Sequence, residues 1–139
     1  MREIIFRGKR IDNGAWVYGC LLNNIYGASK PVIVSDSSYT DDNRIANDDW
    51  EFVIPETVGQ YTGLTDKNGK KIFEGDILRF GGLGYGDRFG VLFYNEKFVK
   101  FMFQPKDSLA GYPVDYTCGL EVMGNIHDNS ELLKSNNGS

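Results

Sequence analysis

The sequence predicts a mainly β fold, a small barrel preceded by an N-terminal β-hairpin lobe, with a short helix only at the C-terminal end. Three observations carry this. Seventeen glycines are spread through 139 residues beside abundant Val, Ile, Tyr, Phe and Thr, leaving few windows in which a three-turn amphipathic helix persists. Asn-Gly pairs separate runs of alternating polarity, the pattern of tight hairpins. The runs themselves are short, evenly spaced and bounded by turn residues. Hydrophobic residues at 41% and aromatics at 14% supply a core for one compact domain or two small lobes.

The first unit runs from Ile4 to Ile11, turns at Asp12-Asn13-Gly14, and returns from Ala15 to Leu22. In the returning arm Trp16, Tyr18, Cys20 and Leu22 share a face, which gives the hairpin an apolar side. Pro31 to Val34 reads as a short strand, the polar stretch from Ser35 to Asp49 as a solvated loop, and Trp50 to Ile54 as another strand. Pro55 breaks the pattern and places a boundary near Thr57, so the expected division is 1–57, 58–134 and an unstructured tail at 135–139. In the second part, 57–64 and 71–80 flank a reversal at Asp66-Lys67-Asn68-Gly69, and 90–94 and 98–103 flank one at Asn95-Glu96-Lys97. Val99, Phe101 and Phe103 are expected on one side of their strand, with Phe98, Lys100 and Met102 on the other. Leu120, Val122, Gly124 and Ile126 alternate with Glu121, Met123 and Asn125 in a last strand, after which Ser130 is placed to cap a short helix carrying Leu132 and Leu133.

The charge balance, 15 basic against 19 acidic residues, gives a net charge of −4 and lacks the broad positive field of non-specific DNA binding. Neither part is basic: residues 1–58 hold six cationic and nine anionic side chains, and 59–139 hold nine and ten. The opening Met-Arg-Glu-Ile-Ile-Phe-Arg is too brief an apolar run for a secretory leader or a spanning helix, so a cytoplasmic protein with no membrane partner is expected. Cys20 and Cys118 stand in no metal or redox spacing and read as reduced, semi-buried thiols.

Motifs that suggest chemistry each meet a plainer account. The aspartates at 36, 41, 42, 48 and 49 offer oxygens to a hard cation, but their spacing matches no calcium loop. Glu74 and Asp76 are two apart, the minimum for paired carboxylates on a strand, yet Glu-Gly-Asp after an apolar pair reads better as a bend in which Asp76 accepts from nearby N–H groups. His127, beside Asp128 and nine residues after Cys118, has no oxyanion donors or nucleophile turn around it. The run from Gly81 to Gly90 satisfies no G-x-G-x-x-G placement, and Gly63 to Lys70 misses the phosphate-loop spacing. No catalytic residue, metal site or cofactor is therefore expected, and the chain is read as a binding protein rather than an enzyme.

The segment from Val58 to Leu78, with Tyr61-Thr62-Gly63-Leu64-Thr65-Asp66-Lys67-Asn68-Gly69 and Ile72-Phe73-Glu74-Gly75-Asp76-Ile77-Leu78, resembles the hallmark of the YopX family of phage and prophage proteins. The opening Phe6-Arg7-Gly8-Lys9-Arg10 with Asn13-Gly14-Ala15-Trp16-Val17-Tyr18-Gly19, and the closing Val122 to Leu133, resemble the family's two ends. Ser130 stands where the family often has Pro, and either residue starts a helix. The resemblance implies an SH3-like barrel over the later part and fixes no activity.

Small barrels meet ligands through inter-strand loops, so Tyr61, Tyr85, Arg88 and Lys97 are the candidate binding residues. The function expected is that of a phage-encoded adaptor for a host or phage protein, with self-association of the chain an open possibility. The alternative is a nucleic-acid-binding accessory protein, permitted but not predicted by seven basic against five acidic side chains over 65–103.

Overall fold

A computed structural model gives the fold and describes residues 3–23, 30–35, 50–81, 87–106, 111–113 and 119–134. The acidic stretch from Asp36 to Asp49, the glycine-rich run 82–86 with Tyr85, Cys118, and the tail at 135–139 lie outside the described residues. The chain divides into two compact units, 1–61 and 62–139.

In the first unit β1 (Phe6–Lys9), β2 (Trp16–Leu22), β3 (Val32–Ser35) and β4 (Trp50–Phe52) pair antiparallel in the order β4-β3-β2-β1. The first hairpin turns as its sequence requires. Gly14 takes φ +73°, which a side-chain-bearing residue resists, and Asn13 Oδ1 accepts the Ala15 N–H at 2.9 Å. Beyond β4 the chain bends back onto β1: Arg10 bridges Val53, Ile11 N–H donates to the Phe52 carbonyl at 3.0 Å, and Ile54 N–H donates to the Lys9 carbonyl at 2.8 Å. Val32, Ile33, Val34 and Val53 are fully or almost fully buried within this curl. Pro55 opens a 3-10 turn, Pro55–Thr57, whose buried Thr57 hydroxyl accepts from the Lys9 N–H and donates to the Ile54 carbonyl. β5 (Gly59–Thr65) then pairs with β1 through its first residues and is followed at the sheet edge by β6 (Lys71–Phe73).

The second unit is built on a meander, β7 (Asp76–Gly81), β8 (Asp87–Asn95), β9 (Lys100–Pro105) and β10 (Tyr112–Pro113), with β11 (Leu120–Asn125) returning beside β7. Its core is Ile72, Leu78, Leu92 and Phe103, flanked by Phe80, Phe101, Leu120 and Val122. Phe80 meets Phe103 edge to face at 5.2 Å. The connection between β5 and β6 is held by one carboxylate. Asp66 is 6% exposed; its Oδ1 accepts from the N–H groups of Asn68 and Lys70 at 2.8 and 2.9 Å, and its Oδ2 accepts from Val122 of β11 at 2.9 Å. Gly69, at φ +84°, lets the turn close with its N–H on the Asp66 carbonyl.

The structure bears out the mainly β architecture and departs from the sequence reading in detail. The barrel is not closed: β10 and β11 stand at opposite edges of an open five-stranded sheet, and β10 contributes only two residues to any ladder. The bend read at Glu74-Gly75-Asp76 is present, with Gly75 at φ +89° and the buried Asp76 accepting the Phe73 N–H on Oδ2 at 2.7 Å. β9 begins at Lys100, which leaves Phe98 and Val99 in the turn, and both Met102 and Phe103 are buried on opposite faces. The clean alternation of β11 breaks at a bulge, with Val122 opposite Leu78 and Gly124 opposite Ile77, and Met123 turned out between them. The expected helix is a single 3-10 turn, Ser130–Leu133, in which Asn129 rather than Ser130 holds the cap position, and Asn129 Oδ1 accepts from the Asn125 N–H.

Burial works against ionised Asp66, but the N–H groups of Val122, Lys70 and Asn68, with the Lys70 cation, outweigh it and hold the carboxyl below its ordinary value. The carboxylate thus contributes fully above the ordinary pKa of about 3.9, and the contribution is lost as pH falls through the lower folded value. Asp66→Asn is expected to lower stability by on the order of 2 kcal/mol in urea titrations at neutral pH. The gap from wild type should close in acid, and an unchanged midpoint at neutral pH would refute this role. Val99, β-branched and at φ +56°, is strained. Val99→Gly is expected to raise stability by about 0.5–1 kcal/mol in the same titration, since the relief exceeds the entropic cost of glycine.

Candidate binding surface

Of the sequence-predicted binding residues, Arg88 and Lys97 lie at opposite ends of one strand. Tyr61 is 8% exposed and belongs to the interior of β5. Arg88 is exposed near the start of β8 with its guanidinium 5.6 Å from the Phe80 ring, and Lys97 lies in the turn beyond the other end of β8, 5.7 Å from the Phe98 ring. At about 3.3 Å per residue, β8 separates them by about 25 Å. Tyr85 lies outside the described residues.

The first unit offers a more concentrated surface. Register places Arg7 opposite Tyr18 and Lys9 opposite Trp16, so all four project from the same face of the first hairpin. The Arg7 guanidinium stands 4.7 Å from the Trp16 ring centroid and Lys9 Nζ 5.7 Å, so one indole carries two cations. Farther along β2, Tyr18 is 47% exposed, Cys20 is exposed rather than half-buried as the sequence suggests, and Leu22 is 37% exposed, which leaves the apolar side of the strand uncovered. Leu22 pairs with Val32, and Val32 with Phe52, which is 48% exposed, so the face continues across three strands over a buried valine.

Beside it a cleft of about 280 Å³ is lined by Ile11, Asp12, Lys30, Trp50, Glu51 and Phe52. Alternation along β4 puts Trp50 and Phe52 on one side of that strand and Glu51 on the other. Arg10 organises the acidic residues: Nε and one terminal nitrogen donate to the two oxygens of Asp12 at 3.0 and 2.8 Å, and the same nitrogen lies 3.1 Å from Glu51 Oε1. The hydrogen bond from Arg10, aided by its charge, holds the Asp12 carboxyl below its ordinary range. Sequence reading found the apolar side of β2 but missed the cleft, because Ile11 and Phe52 meet only through the return of β4 onto β1. The one available signal was an apolar Ile11 stranded beside a polar turn.

His127 and Asp128, weighed for catalysis, lie in a turn held by Asn125. Asn125 Oδ1 accepts from the backbone of His127 and Asp128, and Asn125 Nδ2 donates to Asp128 Oδ2, which makes this segment a tied turn. Among the described residues no group of three His, Cys, Asp or Glu side chains is placed to hold a metal, and no helix is long and apolar enough to cross a membrane.

The family model for YopX protein matches residues 5–134. The chain belongs to the YopX family. Its opening hairpin, the Asp66 turn and the Asn125 turn all fall within the matched span. This YopX-family chain is also similar to the crystal structure of protein EF1440 from Enterococcus faecalis, with a TM-score of 0.61 and 24% identity over 96% of this chain and 100% of that one. That likeness concerns the fold. No curated protein matches the chain.

If Arg10 sets the ionisation of the cleft, Arg10→Gln raises the Asp12 carboxyl toward its ordinary range. Carboxyl-detected NMR titration measures this directly, and an Asp12 titration that does not move on substitution would contradict the assignment.

Proposed function

We propose that this chain is a non-catalytic adaptor of phage or prophage origin that binds a protein partner in the bacterial cytoplasm through the open face of its first hairpin. The observation that carries this reading is the exposure of Tyr18 and Leu22 on a rigid, laddered strand, 47% and 37%, beside the cation-capped Trp16. An aromatic and aliphatic patch held on strands, with the Lys9 cation at its border, has the composition of an interface centre and rim. The second unit suits a supporting role as an SH3-like roll left open, since a four-strand meander with the last strand returned beside the first is the order such a roll needs before its edges meet.

A pull-down from nuclease-treated bacterial lysate tests the reading. Wild type is expected to retain a discrete protein, and Tyr18→Asp combined with Leu22→Asp is expected to release it while urea unfolding stays within about 0.5 kcal/mol, as for exposed positions. No retained protein, or retention indifferent to the two substitutions, would sink the proposal. Lys9 on Trp16, cross-strand from the exposed Tyr18, favours single-stranded nucleic acid as a second reading, with Arg7 buried beneath the ring rather than displayed. It predicts anisotropy binding of single-stranded probes that falls steeply with salt, and absence of binding at low salt removes it.

A further inference from the structure

The β8–β9 hairpin ends in an apolar tip. Phe98 is 59% exposed and Val99 70%, the highest value among the described large apolar side chains. The tip is stiff. Asn95 Oδ1 accepts the Phe98 N–H at 2.9 Å, the rings of Tyr94 and Phe101 meet edge to face at 5.3 Å just behind it, and the ladder runs unbroken from Asn95–Lys100 back to Gly90–Pro105. Val99 sits at φ +56°, a conformation β-branched residues avoid, on a position that gains nothing from burial. Strain and exposed apolar surface are both unfavourable for the isolated chain, and they coincide at one protruding point. Around that point stand Lys97 and Lys100, with Glu96 as the single opposing charge.

A convex apolar tip of this kind requires a concave apolar receptor whose border carries two negative charges and one positive. The same chain possesses one. The cleft of the first unit has apolar walls in Ile11, Trp50 and Phe52, with Ile11 and Phe52 each 48% exposed, and its charged lining is Asp12, Glu51 and Lys30. Asp12 and Glu51 on the cleft answer Lys97 and Lys100 on the tip, and Lys30 answers Glu96. Arg10 bridges Asp12 and Glu51 and keeps those carboxylates in position.

We propose that the hairpin tip of one copy seats in the cleft of a second copy, with Phe98 and Val99 against Trp50, Phe52 and Ile11, and with Lys97 and Lys100 facing Asp12 and Glu51 while Glu96 faces Lys30. A bilayer is a poorer receptor for the same tip, because a chain of net charge −4 is repelled by anionic lipid. The contact joins two different surfaces, so two copies either exchange tips in a closed pair or extend into a larger assembly. This goes beyond the adaptor reading and does not rest on it, since it concerns the purified chain alone.

Sedimentation analysis at about 10 to 200 µM, the range in which a contact of modest area is populated, tests the inference. Wild type is expected to exceed the monomer mass, whereas Phe98→Asp and Phe52→Asp, both at exposed positions, are each expected to run as monomers with unchanged circular dichroism. Mixed one to one, these two variants retain one intact tip and one intact cleft between them, so a heterodimer that grows no further is expected. Lys97→Glu with Lys100→Glu, which leaves the apolar tip in place, is expected to weaken association at least tenfold. Monomeric wild type at the highest concentration, assembly that survives either single variant, or a mixture that stays monomeric would each overturn the proposal.

Discussion

The second unit depends on the Asp66 carboxylate more than on any other polar group. Three backbone N–H donors converge on it, two from its own turn and one from Val122 on the last strand, more than fifty residues away in sequence. A buried carboxylate is expensive unless its oxygens are satisfied, and satisfaction here is possible only when β11 lies against the β5–β6 connection. Lys67 strengthens the same junction, with its N–H on the Leu120 carbonyl and its ammonium 3.7 Å from Glu121, which also pairs with Arg79 of β7. One side chain therefore converts a local turn into a long-range constraint. The apolar cluster of Ile72, Leu78, Leu92 and Phe103 gains its register from that constraint rather than supplying it.

Much of this was legible in the sequence wherever local rules and tertiary packing agree. Asn13-Gly14 and Asn68-Gly69 specify their reversals, alternating apolar residues specify β2, and Glu74-Gly75-Asp76 reads correctly as a bend because its requirements lie within four residues. The failures share a different cause. Phe98 and Val99 look like strand residues by propensity, but the Asn95 side chain captures the Phe98 N–H and extends the turn at their expense. The bulge at Met123 is set by how β11 must lie on β7, which no single strand encodes. The open sheet follows from pairings between distant segments, and the apolar count is the same for an open roll as for a closed one.

The candidate surfaces divide in the same way. The apolar side of β2 follows from period two alone, whereas the cleft exists because β4 returns to β1 and Arg10 spans the gap to both Asp12 and Glu51. Arg88 and Lys97 were grouped by closeness in the chain and by charge, but a nine-residue strand holds them apart. Closeness in sequence is a poor guide to convergence in a meander, since each strand carries its two ends to opposite rims.

The return of β4 onto β1 has one more effect. A sheet whose last strand shows bare N–H and carbonyl groups is a template on which other chains can polymerise. Here β3 takes one side of that segment, and the backbone from Lys9 to Ile11 takes the other. At Phe52, Val53 and Ile54 the main chain is thus closed to further pairing while the side chains beside it stay open to contact, which separates recognition from runaway stacking.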